Sequence, residues 1–208
     1  MNRPDFSNYL AHFTTNRRPC SKAKENPTLH QKGISAIDRL LNILKTKEIL
    51  ASRLPWNNMD AVCLTECPWG SLLAHAKNYS PFGIGFTKDY IFSKKGGPVF
   101  YVRPDVFDKQ EWTNETLIFT TPFWPEYREL KKYGSLSKTL DYSHEREWRV
   151  PTNLQFEYTD IEFIILKSYK DMEKFSKSLI NQIGKEKFLL MENYQNIEKF
   201  WPHLKIET

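Results

Sequence analysis

Residues 35–50 read SAIDRLLNILKTKEIL, and their spacing sets the first half of the fold. Ile37, Leu40, Leu41 and Leu44 stand at i, i+3, i+4 and i+7, one face of an α-helix. Ser35 followed by Asp38 gives a capping-box-like start. A helix is therefore expected from about Ser35 to Leu50. Around it the period shortens. Ser7–Thr14 (SNYLAHFT), Ala61–Thr65 (AVCLT), Phe82–Thr87 (FGIGFT), Pro98–Val102 (PVFYV), Glu145–Val150 (EREWRV) and Ile161–Leu166 (IEFIIL) read as short strands. Pro68-Trp69-Gly70 breaks the second of these, and Ser71–Tyr79 suits a short helix closed by Ser80-Pro81. Lys94–Gly97 forms a basic connection between the third and fourth strands. Residues 104–135, aromatic-rich and broken by Pro122 and Pro125, read as a loop with short helices. Met172, Phe175, Leu179, Ile180 and Ile183 return to helical spacing before a last strand at Lys187–Met191 (KFLLM). The expected fold is α+β: a compact mixed sheet of about six or seven short strands with flanking helices, in one domain over 1–208.

The chain has 208 residues, 40% hydrophobic and 14% aromatic, which is ample for a packed core and excludes a disordered polymer. No apolar run approaches the roughly 18 residues of a membrane span, and the first residues do not lead into a signal-peptide core. Three cysteines argue against a disulfide-stapled secreted domain, so a reducing cytoplasm is the expected setting. The net charge is +5. Residues 1–33 hold Arg3, Arg17, Arg18, Lys22, Lys24 and Lys32 against Asp5 and Glu25, six minus two, a surplus of four. Any phosphate-contacting patch is expected there, with Arg17, Arg18, Lys22 and Lys24 at its rim and Trp112, Phe123 and Trp124 available to stack on bases. A solubilising loop with core aromatics explains the same residues.

The run Glu145-Arg146-Glu147-Trp148-Arg149 carries the densest chemistry. On a strand, Glu145, Glu147 and Arg149 would share one face. Two like charges so placed mark a site that needs negative charge, or else a solvated edge with Glu–Arg pairs. His12 and Thr14 would likewise share a face suited to hydrogen-bonding an amide or a sugar; a core histidine satisfied by a carbonyl is the alternative. His75 and Tyr79, at i and i+4, lie on one helical face, where Tyr79 stacks on a planar ligand or joins the core. Gly83 and Gly85 leave one strand face bare, open to a ligand or another backbone. They are not a dinucleotide fingerprint, because no third glycine opens a helix. Cys63 and Cys67 have no second pair, so no metal site is expected. His144 beside Glu145 is the nearest approach to a hydrolase pair, and adjacent strand residues face opposite ways.

Taken in order, His12-Phe-Thr14, Ala61–Glu66, His75–Phe86 and Tyr142–Arg149 form a pattern that resembles the bacterial abortive-infection proteins of the AbiGi type, over roughly residues 7–150. That group in turn resembles the ADP-ribosyltransferase fold of PARP-like enzymes and the DNA-modifying toxin DarT. The resemblance implies NAD as substrate and transfer of ADP-ribose to a macromolecule, RNA or DNA included. It implies that His12 holds the nicotinamide-proximal ribose, with Thr65 or Tyr79 as the middle-strand partner. Glu147 would be the late catalytic glutamate and Glu145 its upstream member. Thr14, on the same expected face as His12, would be among the NAD-binding residues, and Tyr79 or Phe86 would stack the nicotinamide. Such a carboxylate stabilises an oxocarbenium-like ribose, the same principle a glycosidase uses. A toxin of this kind implies a neutralising antitoxin partner. The alternatives are a non-catalytic antitoxin or adaptor of the same group binding protein or RNA, and a Mg²⁺-dependent nuclease using Glu145 and Glu147.

Overall fold

The structure is a computed structural model that describes residues 6–16, 34–54, 56–66, 76, 79–123 and 143–200, the last four by backbone alone. In chain order the elements are β1 Tyr9–Phe13, α1 Ala36–Thr46, β2 Glu48–Ile49, β3 Ser52–Arg53, β4 Asp60–Thr65, β5 Gly83–Thr87 and α2 Lys88–Ser93. There follow β6 Gly97–Pro98, β7 Phe100–Val102, β8 Thr120–Pro122, β9 Glu147–Val150, β10 Leu154–Gln155, β11 Phe163–Leu166, α3 Lys177–Ile183, β12 Phe188–Leu190 and α4 Met191–Phe200. The main sheet runs β12-β11-β5-β1-β4-β9-β6, with β3 joined to the start of β4. Its pairings are antiparallel except β11–β12, which are joined through α3. Two small ladders, β10–β2 and β7–β8, stand apart from it. The α+β expectation holds, with a mostly antiparallel sheet.

The pleat of the strands sorts side chains into two layers. Leu10, Val62, Leu64, Ile84, Phe86, Val150, Ile164 and Leu166 face the main core, with Ile37, Leu40 and Leu44 of α1 and Leu179 and Ile183 of α3. The alternate residues Ala11, Phe13 and Ile165 face the other side, where Met191 at the start of α4 covers them. On that second side, further along the sheet, Ala61 and Cys63 meet Leu54, Ile118 and Phe119.

Helix α1 starts where the spacing predicts, with Ser35 Oγ accepting from Asp38 N at 3.3 Å. It ends at Thr46 rather than Leu50. Lys47 adopts a left-handed conformation (φ 53°, ψ 37°) that turns the chain into β2. The expected Pro98–Val102 strand is two strands in different sheets, β6 and β7. The long helical spacing of 172–183 divides likewise: a single turn, Tyr169–Met172, and then α3, restarted by Ser176 Oγ accepting from Leu179 N. Most of the expected helix 71–79 lies outside the described residues. So do Arg17, Arg18, Lys22, Lys24, Lys32, Cys67, His75 and Trp124.

The glycine-floored face of β5 is filled. A Cβ on Gly85 would fall 2.2 Å from the Phe163 ring, and one on Gly83 would lie 3.0 Å from the His12 carbonyl oxygen. Neighbouring strands, not a ligand, use that space. Gly96 has a sterner role at the α2–β6 corner. Its N–H donates to Ile91 O at 2.9 Å, and a Cβ there would come within 2.8 Å of the same oxygen. Gly96→Ala should therefore lower unfolding stability by about 1–3 kcal/mol in a urea titration. Gly97→Ala, whose Cβ meets nothing nearer than 3.5 Å, should unfold close to wild type. Equal midpoints for the two variants would refute this account of the corner.

Candidate functional site

Strand β9 begins two residues later than the EREWR run suggests. Ser143–Glu145 is a turn of 3₁₀ helix, and Arg146 follows with φ 44°. Tertiary bonds fix this break: Arg146 N donates to Ser143 O at 3.2 Å, Glu66 N to Arg146 O at 3.3 Å, and the Thr65 hydroxyl to Glu145 O. Glu145 is thus off the strand. Its carboxylate accepts from the Tyr79 hydroxyl at 2.5 Å instead of standing beside Glu147 on one strand face.

Glu147 pairs with Thr65, and Thr65 with Ala11, so these three lie in line across β9, β4 and β1 on one face of the sheet. Cys63 and Arg149, the next pair along, share that face. Arg149 is only 2% exposed. Its Nε and Nη2 donate to the two oxygens of Glu147 at 2.9 Å each. The remaining Nη2 hydrogen goes to Thr121 Oγ1 at 2.6 Å, and Nη1 reaches Ile118 O at 2.8 Å and Thr120 O at 3.2 Å. All five guanidinium donors are spent inside the protein. The bidentate pair therefore ties the main sheet to β8 and the turn before it.

The groups around the pair are held uncharged. Burial, with the negative charge of Glu147 as the second cause, pushes the Cys63 thiol well above its ordinary pKa. Burial likewise moves the Tyr101 phenol up to about 12, helped by Glu147 and Glu145, while its hydroxyl stays bonded to Glu147 N at 3.1 Å. Neither group is an activated nucleophile. Among the described residues no third histidine, cysteine or acidic side chain joins the two glutamates in a metal-holding group.

Four of the seven expected site residues come together here: Thr65, Tyr79, Glu145 and Glu147. Three do not. His12 pairs with Ile84 on the main-core face, opposite to Glu147. Its Nδ1 donates to Cys63 O at 2.8 Å, closing the seam where β1 and β4 share only the Ala11–Thr65 bridge. Thr14 is 4% exposed, and its hydroxyl turns to Ala36 O at 2.8 Å and Phe82 O at 3.2 Å. Phe86 is fully buried, stacked on Tyr90 and edge-on to Phe156, so it offers no ring to a nicotinamide. Of the expected base-stacking residues, Trp112 donates Nε1–H to Phe107 O at 2.8 Å and stacks on Phe107, and Phe123 packs edge-on to Tyr101. Sequence reasoning overlooked Tyr101 and Thr121, which local spacing does not connect to Glu147. It also overlooked Glu66, 7% exposed, which accepts from Ser7 N at 3.1 Å and pairs with Lys88 at 2.8 Å and Arg146 at 3.6 Å.

A family described as "Putative abortive phage resistance protein AbiGi, antitoxin" matches residues 35–198, well over half of the chain. The chain belongs to the AbiGi family. No curated protein and no solved structure matches it. The match runs from the cap of α1 to α4 and so takes in the Glu147–Arg149 tie, Tyr79 and Glu145. It begins beyond His12 and Thr14. No described helix of this AbiGi protein is long and apolar enough to cross a membrane.

Two outcomes follow from this geometry. Arg149→Ala should cost about 3–5 kcal/mol of stability in denaturant unfolding, because it leaves the half-buried Glu147 carboxylate unpaired and orphans the carbonyls of Ile118 and Thr120. A loss below about 1 kcal/mol would mean the pair is not the tie described. His12 should give stability a pH dependence of defined sign. Burial lowers its pKa from 6.5, so the unfolded chain binds the proton more readily. The His12 contribution is complete above about pH 6.5 and is lost as pH falls from there through the lowered folded value. Unfolding free energies of wild type and His12→Gln, compared between about pH 7.5 and pH 5, should diverge with the wild type the steeper; parallel curves would exclude it.

Proposed function

We propose that this AbiGi protein is the antitoxin of a phage-defence pair and acts by binding a toxin protein, not by turning over a substrate. The observation that carries this reading is the consumption of Glu147 and Arg149 by each other and by backbone. A carboxylate already neutralised by a bidentate guanidinium is a poor stabiliser of a developing cation, and Arg149 has no donor left for a phosphate. The antitoxin description of the family supports the same reading. It also reverses the expected partnership: the companion is a toxin, and this chain is the neutralising member.

A transferase acting on NAD is the second reading, supported by the gathering of Thr65, Tyr79, Glu145 and Glu147 at one end of β4. His12, on the opposite face, weighs against it. Two measurements separate the readings. Expression of the protein encoded beside this chain should arrest bacterial growth, and co-expression of this chain should relieve the arrest and yield a complex on size-exclusion chromatography. Incubation with labelled NAD should leave RNA, DNA and protein unlabelled. Labelling that Glu147→Gln abolishes, with no complex formed, would replace the antitoxin reading by the transferase.

A further inference from the structure

The main sheet has a weak line through its middle. β1 lies against β5 from Tyr9 to Phe13, and β4 against β9 from Val62 to Thr65, but β1 and β4 meet at the Ala11–Thr65 bridge alone. Side chains take over the pairing on either side of that bridge. Toward Phe13, His12 Nδ1 donates to Cys63 O at 2.8 Å. Toward Tyr9, the Glu66 carboxylate accepts from Ser7 N at 3.1 Å and pairs with Lys88 Nζ at 2.8 Å. Lys88 opens α2 directly after β5, and its backbone N–H donates to Asn8 O at 2.8 Å. Both partners of Glu66 therefore belong to the β1–β5 side. Lys88 Nζ also stands 3.7 Å from the centre of the Phe6 ring, and both charges of the ion pair are largely buried. The line divides the sheet into two halves, β12-β11-β5-β1 and β4-β9-β6.

The two faces treat this line differently. Under α1 and α3 the apolar residues of both halves join one core, Leu10, Ile84 and Ile164 from the first half and Val62, Leu64 and Val150 from the second. On the other face, among the described residues, they form two separate clusters. Ala11, Phe13, Ile165 and Met191 make one, and Leu54, Ala61 and Ile118 the other. A polar tie crosses between the halves there. Tyr79 packs with the first cluster, and its hydroxyl donates at 2.5 Å to Glu145, whose own carbonyl is bound by Thr65 of β4. Directional bonds along one line open locally at a lower free energy than a packed core does. We infer that the β1–β4 seam is a hinge latched by His12 and Glu66, and that its opening parts Tyr79 from Glu145. The common core under α1 is the side that stays closed. The Tyr79–Glu145 contact and the seam then open and shut as one unit. This hinge is a property of the fold and does not rest on the antitoxin reading.

Cys63, on β4 beside the seam and with its thiol kept protonated by burial, is a built-in probe of the opening. The full chain is treated with excess iodoacetamide under native conditions, and tandem mass spectrometry follows alkylation of Cys63 separately from Cys20 and Cys67. Glu66→Gln and His12→Gln should each speed alkylation of Cys63 about tenfold or more. Tyr79→Phe should speed it as well, because the tie it removes crosses the same line. Ile183→Val in α3 weakens the common core, which the open form keeps, so its alkylation rate should equal that of wild type. Rates that rise in all four variants in proportion to the stability each loses in urea would mean that Cys63 reacts through unfolding of the whole molecule, and would overturn the hinge. Latch variants that react like wild type would overturn it too. Acceleration in the latch variants without acceleration in Tyr79→Phe would overturn the coupling to Glu145.

Discussion

The pairing of Arg149 with Glu147 constrains more of this molecule than any other polar contact described. A guanidinium at 2% exposure is tolerable only where every donor finds an acceptor, and here the acceptors come from three places: the same strand, the turn at Ile118, and β8. The pair therefore sets how the β7–β8 ladder sits against the main sheet. Breaking it would expose unpaired charge on one side and orphan backbone carbonyls on the other. Cys63 and Tyr101, both close to it, stay protonated for the same reason, since burial beside a carboxylate opposes a second negative charge.

The two faces of the sheet divide the work of the fold. One holds the large hydrophobic core under α1 and α3 and, at its margin, the His12 imidazole that bridges a seam between strands. The other holds the polar cluster of Thr65, Tyr79, Tyr101, Glu145, Glu147 and Arg149. An enzyme using an early histidine and a late glutamate on one nucleotide would need them on a single face. Their separation follows from register alone: Ala11, not His12, is aligned with Thr65 and Glu147.

Much of the fold was legible locally. The Ser35 cap, the apolar stripe of α1 and the strands near Ala61–Thr65, Phe82–Thr87, Ile161–Leu166 and Lys187–Met191 all follow from period and capping, which short segments encode by themselves. The failures fall where long-range bonds overrule pattern. EREWR reads as one continuous strand, yet Thr65 and Glu66 hold Glu145 and Arg146 out of it. Gly83 and Gly85 look like an open floor until Phe13, Ile165 and Phe163, from neighbouring strands, are seen to fill it. The Glu–Arg pairing was readable from the i, i+2 spacing of Glu147 and Arg149; its burial was not, because β7 and β8 come from a distant part of the chain.

The amino-acid sequence alone determined the class of the fold, the start of the principal helix, the strand-forming segments and the resemblance to abortive-infection proteins, since each depends on neighbours within about a dozen residues or on a run of motifs. Only the tertiary structure decided which face each strand residue occupies and which polar groups meet. A shift of one residue in register moves every side chain to the opposite side of a sheet, and register is set by partners far away in the chain. That is why Glu147 and Arg149 lie paired on one face, and why His12 stands across the sheet from them.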